Sequence, residues 1–367
     1  MAQRERKTPG IHTGIHIRMR LAVILLAACL AVGSALAYGL GAFGTRPSAR
    51  PATSANGSAS PKATAASVVI PTKAQIMAGS GKYFGVAAAN VPWQAAARAK
   101  IATSAGVSPN MAEYFVNWTK DFDPQPIVNA YAQGMLPVLS WQPFAGGTAR
   151  HTSAHAPAYT LKSIIDGAHD AYITRFAASV KGVKWPVAIR FAHEMNGDWY
   201  PWSEGVNGNT AGQYAEAWRH VHDLFQKAGA LNVIWVWSPN IVRSATTPMK
   251  RLYPGDRYVD WIGLSAYEVS ERTTAQLLDP TLKQLRAFTA KPLLLTELGG
   301  QPGSNKAAWT ADFLGWLARQ PNVLGFVWFE YTYTQGAGTD WGFDADPATL
   351  SAFRKGIRTL TLARRLS

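Results

Sequence analysis

The chain of 367 residues has one cysteine, Cys29, and only 22 acidic residues against 36 Lys and Arg. With no cysteine in the body of the chain, disulfides and thiolate nucleophiles are excluded there. Other short signatures are missing as well. His193-Glu194 is followed by Gly197, where a zinc helix of the HExxH kind needs its second histidine. Gly263-Leu264-Ser265-Ala266 runs into Tyr267, so a nucleophile elbow lacks its closing glycine. Gly79-Ser80-Gly81-Lys82-Tyr83 lacks the Ser/Thr of a phosphate loop and precedes a strand instead of following one. Metal, serine-triad and nucleotide chemistry therefore have little to stand on, and no cofactor is implied.

Charge is also sparse, at 16% of residues, and its sign is uneven. The formal net charge of +14 would suit nucleic acid if it lay on one face, but the ends carry much of it. Residues 1–45 hold five Lys/Arg and one Glu, residues 46–72 add Arg46, Arg50 and Lys62, and the last fourteen residues hold five more. The middle of the chain is close to neutral. No segment there interleaves basic and stacking residues as a nucleic-acid groove does, so no nucleic-acid partner is expected.

The basic amino end precedes an uncharged run from Leu21 to Gly44, LAVILLAACLAVGSALAYGLGAFG. This fits a cleaved signal with Ala35-Leu36-Ala37 as its small-residue site, or a retained anchor spanning residues 21–44. A lipoprotein signal at Cys29 fits less well, since the chain stays apolar beyond it. Each reading exports the remainder, secreted or tethered to the membrane, and the preceding positive charge agrees with that orientation. Residues 46–72, rich in Ala, Ser, Pro and Thr and free of aromatics, read as a linker that cannot bury a core. A single folded domain is expected over residues 73–367.

Within it, apolar runs alternate with amphipathic ones. KYFGVAA (82–88), AEYFVNW (112–118), MLPVLSW (135–141), VAIRFAH (187–193), LNVIWVW (231–237), VDWIGLSA (259–266), PLLLTE (292–297) and VLGFVWFE (323–330) read as strands. Between them lie helix-period segments. In TLKSIIDGAHDAYITRFAASV, Leu161, Ile164, Ile165, Ala168, Tyr172, Phe176 and Val180 fall on one face, as Tyr214, Trp218, Val221, Leu224 and Phe225 do later. Near-continuous apolar strands joined by helices imply parallel pairing, and eight such units predict an α/β fold of the (β/α)8 barrel type.

In such a barrel, polar side chains at the carboxyl ends of strands are the functional candidates. RFAHEMNGDWYPW (190–202) places Arg190, His193, Glu194 and Asn196 there beside three aromatic rings, a mixture that a core would not choose. Glu194 after the fourth strand and Glu297 ending the seventh are the best pair, because glycoside hydrolysis needs two carboxyls in opposite protonation states. Glu268 and Glu330 read as cleft walls or surface groups. Trp118, Trp141, Trp199, Trp202, Trp237 and Trp328 lie at or just past strand ends, where flat rings can meet sugar C–H faces. Under strict strand alternation Arg190 and Glu194 share a face and could pair, and His193 could hold Glu194. Asn196 and Asn240 could bind hydroxyls or fix loops.

IRFAHEMNGDWYPW (189–202), WVWSPN (235–240), DWIGLSAY (260–267), LLLTELGG (293–300) and GFVWFEY (325–331), with the helix IIDGAHDAYITRFAASVK (164–181), resemble the family-26 glycoside hydrolases. That family comprises β-mannanases, mixed-linkage β-glucanases and β-1,3-xylanases on (β/α)8 barrels. The resemblance implies Glu194 as general acid/base with His193 before it, Glu297 as nucleophile in a retaining double displacement, and Tyr267 as hydrogen-bond donor to the nucleophile. It also implies Trp328 beneath the sugar at the scissile bond, with Trp199 and Trp202 lining the cleft. The expected function is an endo-β-1,4-mannanase, with a β-1,3/1,4-glucanase or a β-1,3-xylanase as alternatives. The partner would be a β-linked polysaccharide and the chain a monomer. A transglycosylase and a catalytically silent sugar-binding barrel are the remaining alternatives.

Overall fold

The computed structural model describes residues 70–146 and 156–366. The apolar run at 21–44, Cys29 and most of the expected linker lie outside the described residues. Among those described, no helix is long and apolar enough to cross a membrane. The first helix, Lys73–Met77, opens on a Thr72 capping box, in which side chains satisfy amide hydrogens that the first turn leaves unpaired.

Eight parallel strands close into one barrel in sequence order, with β1 paired to β8. They are β1 Tyr83–Ala88, β2 Met111–Asn117, β3 Leu136–Gln142, β4 Val187–Phe191, β5 Val233–Trp237, β6 Trp261–Glu268, β7 Leu293–Gly300 and β8 Val323–Glu330. The expected barrel is thus the observed one. The single helix expected through 160–180 is two, Leu161–Ile165 and Asp170–Val183. Gly167 at φ 85° turns the chain between them, a conformation that glycine adopts without the Cβ clash.

Alternation along the strands sorts the side chains into two populations. The outward set is aromatic and packs the helices onto the barrel: Trp141 stacks on Phe176 at 4.5 Å, and Trp235 meets Phe225 at 5.1 Å. The inward set near the carboxyl ends is polar, comprising Glu113, Ser140, Arg190, Ser265 and Glu297, all buried. Two irregularities shape this inner surface. β4 stops at Phe191, two residues short of the expected strand, because Ala192 (φ 42°) and Glu194 (φ 55°) leave the extended conformation. In β7 the pairing slips between Gly263↔Leu294 and Ser265↔Glu297. One extra residue in a strand redirects its side chains, so Thr296 and Glu297 both reach groups inside the barrel.

Candidate active site

The floor of the barrel mouth is organised by Arg190. Its Nη1 donates to Glu297 Oε2 at 2.5 Å, to Glu113 Oε1 at 3.0 Å and to Ser140 Oγ at 3.2 Å. Its Nη2 donates to Ser265 Oγ at 2.5 Å and its Nε to Ser238 Oγ at 2.9 Å. A fully buried guanidinium costs several kcal/mol of lost hydration unless every donor finds a partner, and here the hydroxyls and carboxylates supply them. The pairing of Arg190 with Glu194, which alternation allowed, does not occur. The positive φ at Ala192 and Glu194 turns the acid off the strand's register, and the arginine goes to Glu297 and Glu113.

Glu297 takes the Tyr267 hydroxyl on Oε1 at 2.9 Å and Arg190 on Oε2. Glu194 is set differently. Asn240 Nδ2 donates to its Oε1 at 3.0 Å and Trp199 Nε1 to its Oε2 at 2.8 Å. Burial, followed by the negative charge of Glu297, raises its carboxyl above the ordinary range, against opposition from Arg190, Ser265 and Asn240. The two carboxyls thus stand in unlike settings, Glu297 held by a cation and a hydroxyl and Glu194 raised above the ordinary range, and acid/base work on a single bond requires such a difference.

Glu113 is a third carboxyl that the sequence reading missed. It is fully buried, with Oε2 unpartnered, and burial pushes it up to about 8 despite Arg190. The available signal was an acid in the middle of an apolar strand, AEYFVNW. His193 does not hold Glu194. Its Nε2 lies 3.2 Å from the Tyr200 hydroxyl, its Nδ1 has no partner, and burial followed by Arg190 lowers it far enough to keep the ring neutral.

The aromatic expectations divide. Trp199 is partly exposed and touches the acid, and its ring sits so close over Gly197 that a Cβ there would meet it at 2.4 Å. Trp202 lies deeper: it is buried, stacks on Tyr200 at 4.3 Å and donates to the His193 carbonyl at 2.7 Å. Trp118, Trp141 and Trp237 belong to the outer packing, the last between Tyr253 and Phe288. Trp328 is also outside the cleft. Its strand position faces it outward, against Phe313 of helix Lys306–Ala318 and Phe353 of helix Pro347–Ile357, with Nε1 on the Trp341 carbonyl at 3.0 Å.

The rings next to Tyr267, the donor to Glu297, are Trp341 at 4.7 Å and Phe329 at 5.8 Å, neither of which sequence reasoning singled out. Asn196 fixes a loop. Its amide group closes a pair of 2.8 Å hydrogen bonds with the Asn240 backbone, which fixes the residue that donates to Glu194. Glu330 accepts the Phe343 amide at 3.0 Å, and Glu268 accepts the amides of Ser270 and Arg272, so both hold loops and neither is a free surface group. Among the described residues no three His, Cys, Asp or Glu side chains form a metal-ligand cluster.

Residues 151–306 match the model of glycosyl hydrolase family 26. Endoglucanase H of Acetivibrio thermocellus is 32% identical over 263 residues, 68% of this chain and 27% of its own length. A mannan endo-1,4-beta-mannosidase of Bacillus subtilis is 33% identical over 147 residues, 39% of this chain and 38% of its own. The chain thus spans well under half of either relative. In fold, a GH26 beta-mannanase from Bacteroides ovatus superimposes with a TM-score of 0.58 at 20% identity, covering 77% of this chain and 90% of that one. The endo-beta-1,4-mannanase catalytic domain from Bacillus sp. JAMB-750 gives 0.57 at 20% identity over 77% and 87%. With its matched segment carrying Glu194, Tyr267 and Glu297, the chain belongs to glycosyl hydrolase family 26.

Proposed function

We infer that the chain is a retaining glycoside hydrolase of a β-linked polysaccharide, and the unlike settings of two buried carboxyls carry this reading: Glu297 is held by Arg190 and Tyr267, and the Glu194 carboxyl is raised by burial. Glu297 attacks the anomeric carbon as the glycosidic C–O bond breaks, and Glu194 gives its proton to the departing oxygen. The covalent glycosyl-enzyme then accepts water, whose proton Glu194 takes back. Arg190 and Tyr267 hold the nucleophile, releasing it as its charge passes into the new ester bond. Glu194 is fully buried and Glu297 is 1% exposed. A sugar must therefore displace the Trp199 indole, whose N–H occupies Glu194 Oε2.

The substrate proposed first is β-1,4-mannan, supported by the mannan endo-1,4-beta-mannosidases among the relatives. A β-glucan is the second reading, because the longest of the matches described above is to an endoglucanase. Action at the cell envelope, through export by the apolar run at 21–44, is part of the proposal. The test is incubation of the full chain with mannan, lichenan, laminarin and β-1,3-xylan, with product sizes analysed. Glu297→Ala should lose turnover by about 10⁴-fold or more, as removal of a nucleophile from an organised site does, and still bind oligosaccharide. Wild-type binding without turnover on every glycan would instead support a silent sugar-binding barrel.

A further inference from the structure

A cation without a counter-ion stands beside the acid. Arg243, just past β5, is half-buried, and its Nε donates to Asn240 Oδ1 at 3.4 Å. Asn240 in turn donates to Glu194. Among the described residues no carboxylate lies within ion-pair distance of Arg243. Burial works most strongly against its cationic form, Glu194 favours that form, Arg272 opposes it and Glu268 favours it to a lesser degree.

Arg272 does not relieve the imbalance. It is half-buried, its Nε has no hydrogen-bond partner, and its nearest carboxylate, Glu268 Oε2, is 3.4 Å away. Glu268 has already committed Oε1 to the Ser270 and Arg272 amides. Glu271 is exposed and lines a neighbouring cavity with Glu268, yet it pairs with neither arginine. Two guanidiniums thus share one carboxylate, and Glu194 must be protonated to act as an acid, so it supplies no steady negative charge.

Partly desolvated cations of this kind are costly unless an anion joins them. The planar guanidinium fork matches the oxygens of a carboxylate or a phosphate. Position then says which part of a substrate reaches it. The acid protonates the oxygen of the departing portion, so a group linked to the acid through one asparagine lies on that portion's side. We propose that Arg243, with the neighbouring charge of Arg272, binds an anionic substituent, carboxylate or phosphate, on the departing part of the glycan. This rests on the hydrolase reading above.

The test compares kcat/KM of the full chain on a neutral mannan, the same mannan lightly oxidised to carboxylate at C6, and a phosphorylated mannan. Lichenan and its oxidised form serve if glucan is the substrate. The expected result is a preference of about tenfold for one charged form, the factor that about 1.4 kcal/mol of charge-assisted hydrogen bonding produces. The preferred arm identifies the anion. Arg243→Gln should bring the charged-to-neutral ratio close to one, and Arg243→Lys, which keeps the charge but not the fork, should keep part of it, since a role in packing alone would not track charge. A ratio near one in the wild type, or one that survives Arg243→Gln, overturns the proposal. If the wild type cleaves none of these glycans, the hydrolase reading fails separately. Titration of Glu297→Ala with neutral and carboxylated oligosaccharides then decides the arginine site alone, and equal or absent binding of the two rejects it.

Discussion

One guanidinium serves two carboxyls: Arg190 Nη1 lies 2.5 Å from Glu297 Oε2 and 3.0 Å from Glu113 Oε1. A single positive charge in a buried site neutralises one carboxylate well and two badly. Glu297 also holds the Tyr267 hydroxyl, whereas Glu113 has only Ser140 beside the shared arginine and leaves Oε2 unpartnered. Glu113 is accordingly the one that keeps its proton, pushed up to about 8 by burial. Arg190 and Tyr267 thus both serve Glu297, and Glu113 is left as the buried carboxyl with a free oxygen.

Glu113→Gln should therefore be mild. The amide copies the neutral acid, keeps an oxygen for Arg190 and Ser140, and should leave activity within about threefold at pH 6. Its mark lies in the pH dependence of stability. A carboxyl raised in the folded state to about 8, from an ordinary 4.5, contributes stability below 4.5 that is lost as pH rises through about 8. Thermal melts from pH 5 to 9 should show the wild type losing stability relative to Glu113→Gln across that window. Parallel curves would mean that Glu113 is ionised throughout.

Asn240→Ala acts on the other carboxyl. The Asn240 amide donates to Glu194 and so favours its charged form. Its removal should raise Glu194 further. Because the first step needs the protonated acid, activity falls as pH rises through this group, and the alkaline limb of kcat/KM should move to higher pH in the variant. The maximum should fall by about tenfold as the carboxyl loses its orientation. A limb that stays put while the maximum drops would assign Asn240 to loop support alone.

How much of this was legible beforehand follows from what each signal encodes. The eight strands and their closure were readable because buried parallel strands are written as continuous apolar runs. Glu194 and Glu297 were readable because ionisable groups at strand ends are costly anywhere but a site. The division of the tryptophans was not. Trp328 lies within β8 and its strand facing sends the ring to the helices, whereas Trp199 lies in the turns beyond β4 and its ring comes back to Glu194. Nor could the Arg190 partnership be read, because the left-handed backbone at Ala192 and Glu194 and the slip in β7 break the alternation that such reasoning assumes. Glu113 lies 77 residues before Arg190. Nothing short of closing the barrel brings the two together.

Trp328→Phe separates packing from substrate contact. The indole is fully buried among Trp309, Phe313, Phe343 and Phe353 and donates to the Trp341 carbonyl. Trimming it removes apolar contact and strands that carbonyl, a combined loss of about 2 kcal/mol or more. The chain should melt several degrees lower, while KM for the glycan, measured well below the melt, stays within about twofold. Trp341→Ala should do the reverse to binding, raising KM by about tenfold, because its ring packs on Tyr267 beside the nucleophile. A large KM change in Trp328→Phe, with its melting point unmoved, would return that ring to the cleft, and an unmoved KM in Trp341→Ala would take Trp341 out of it.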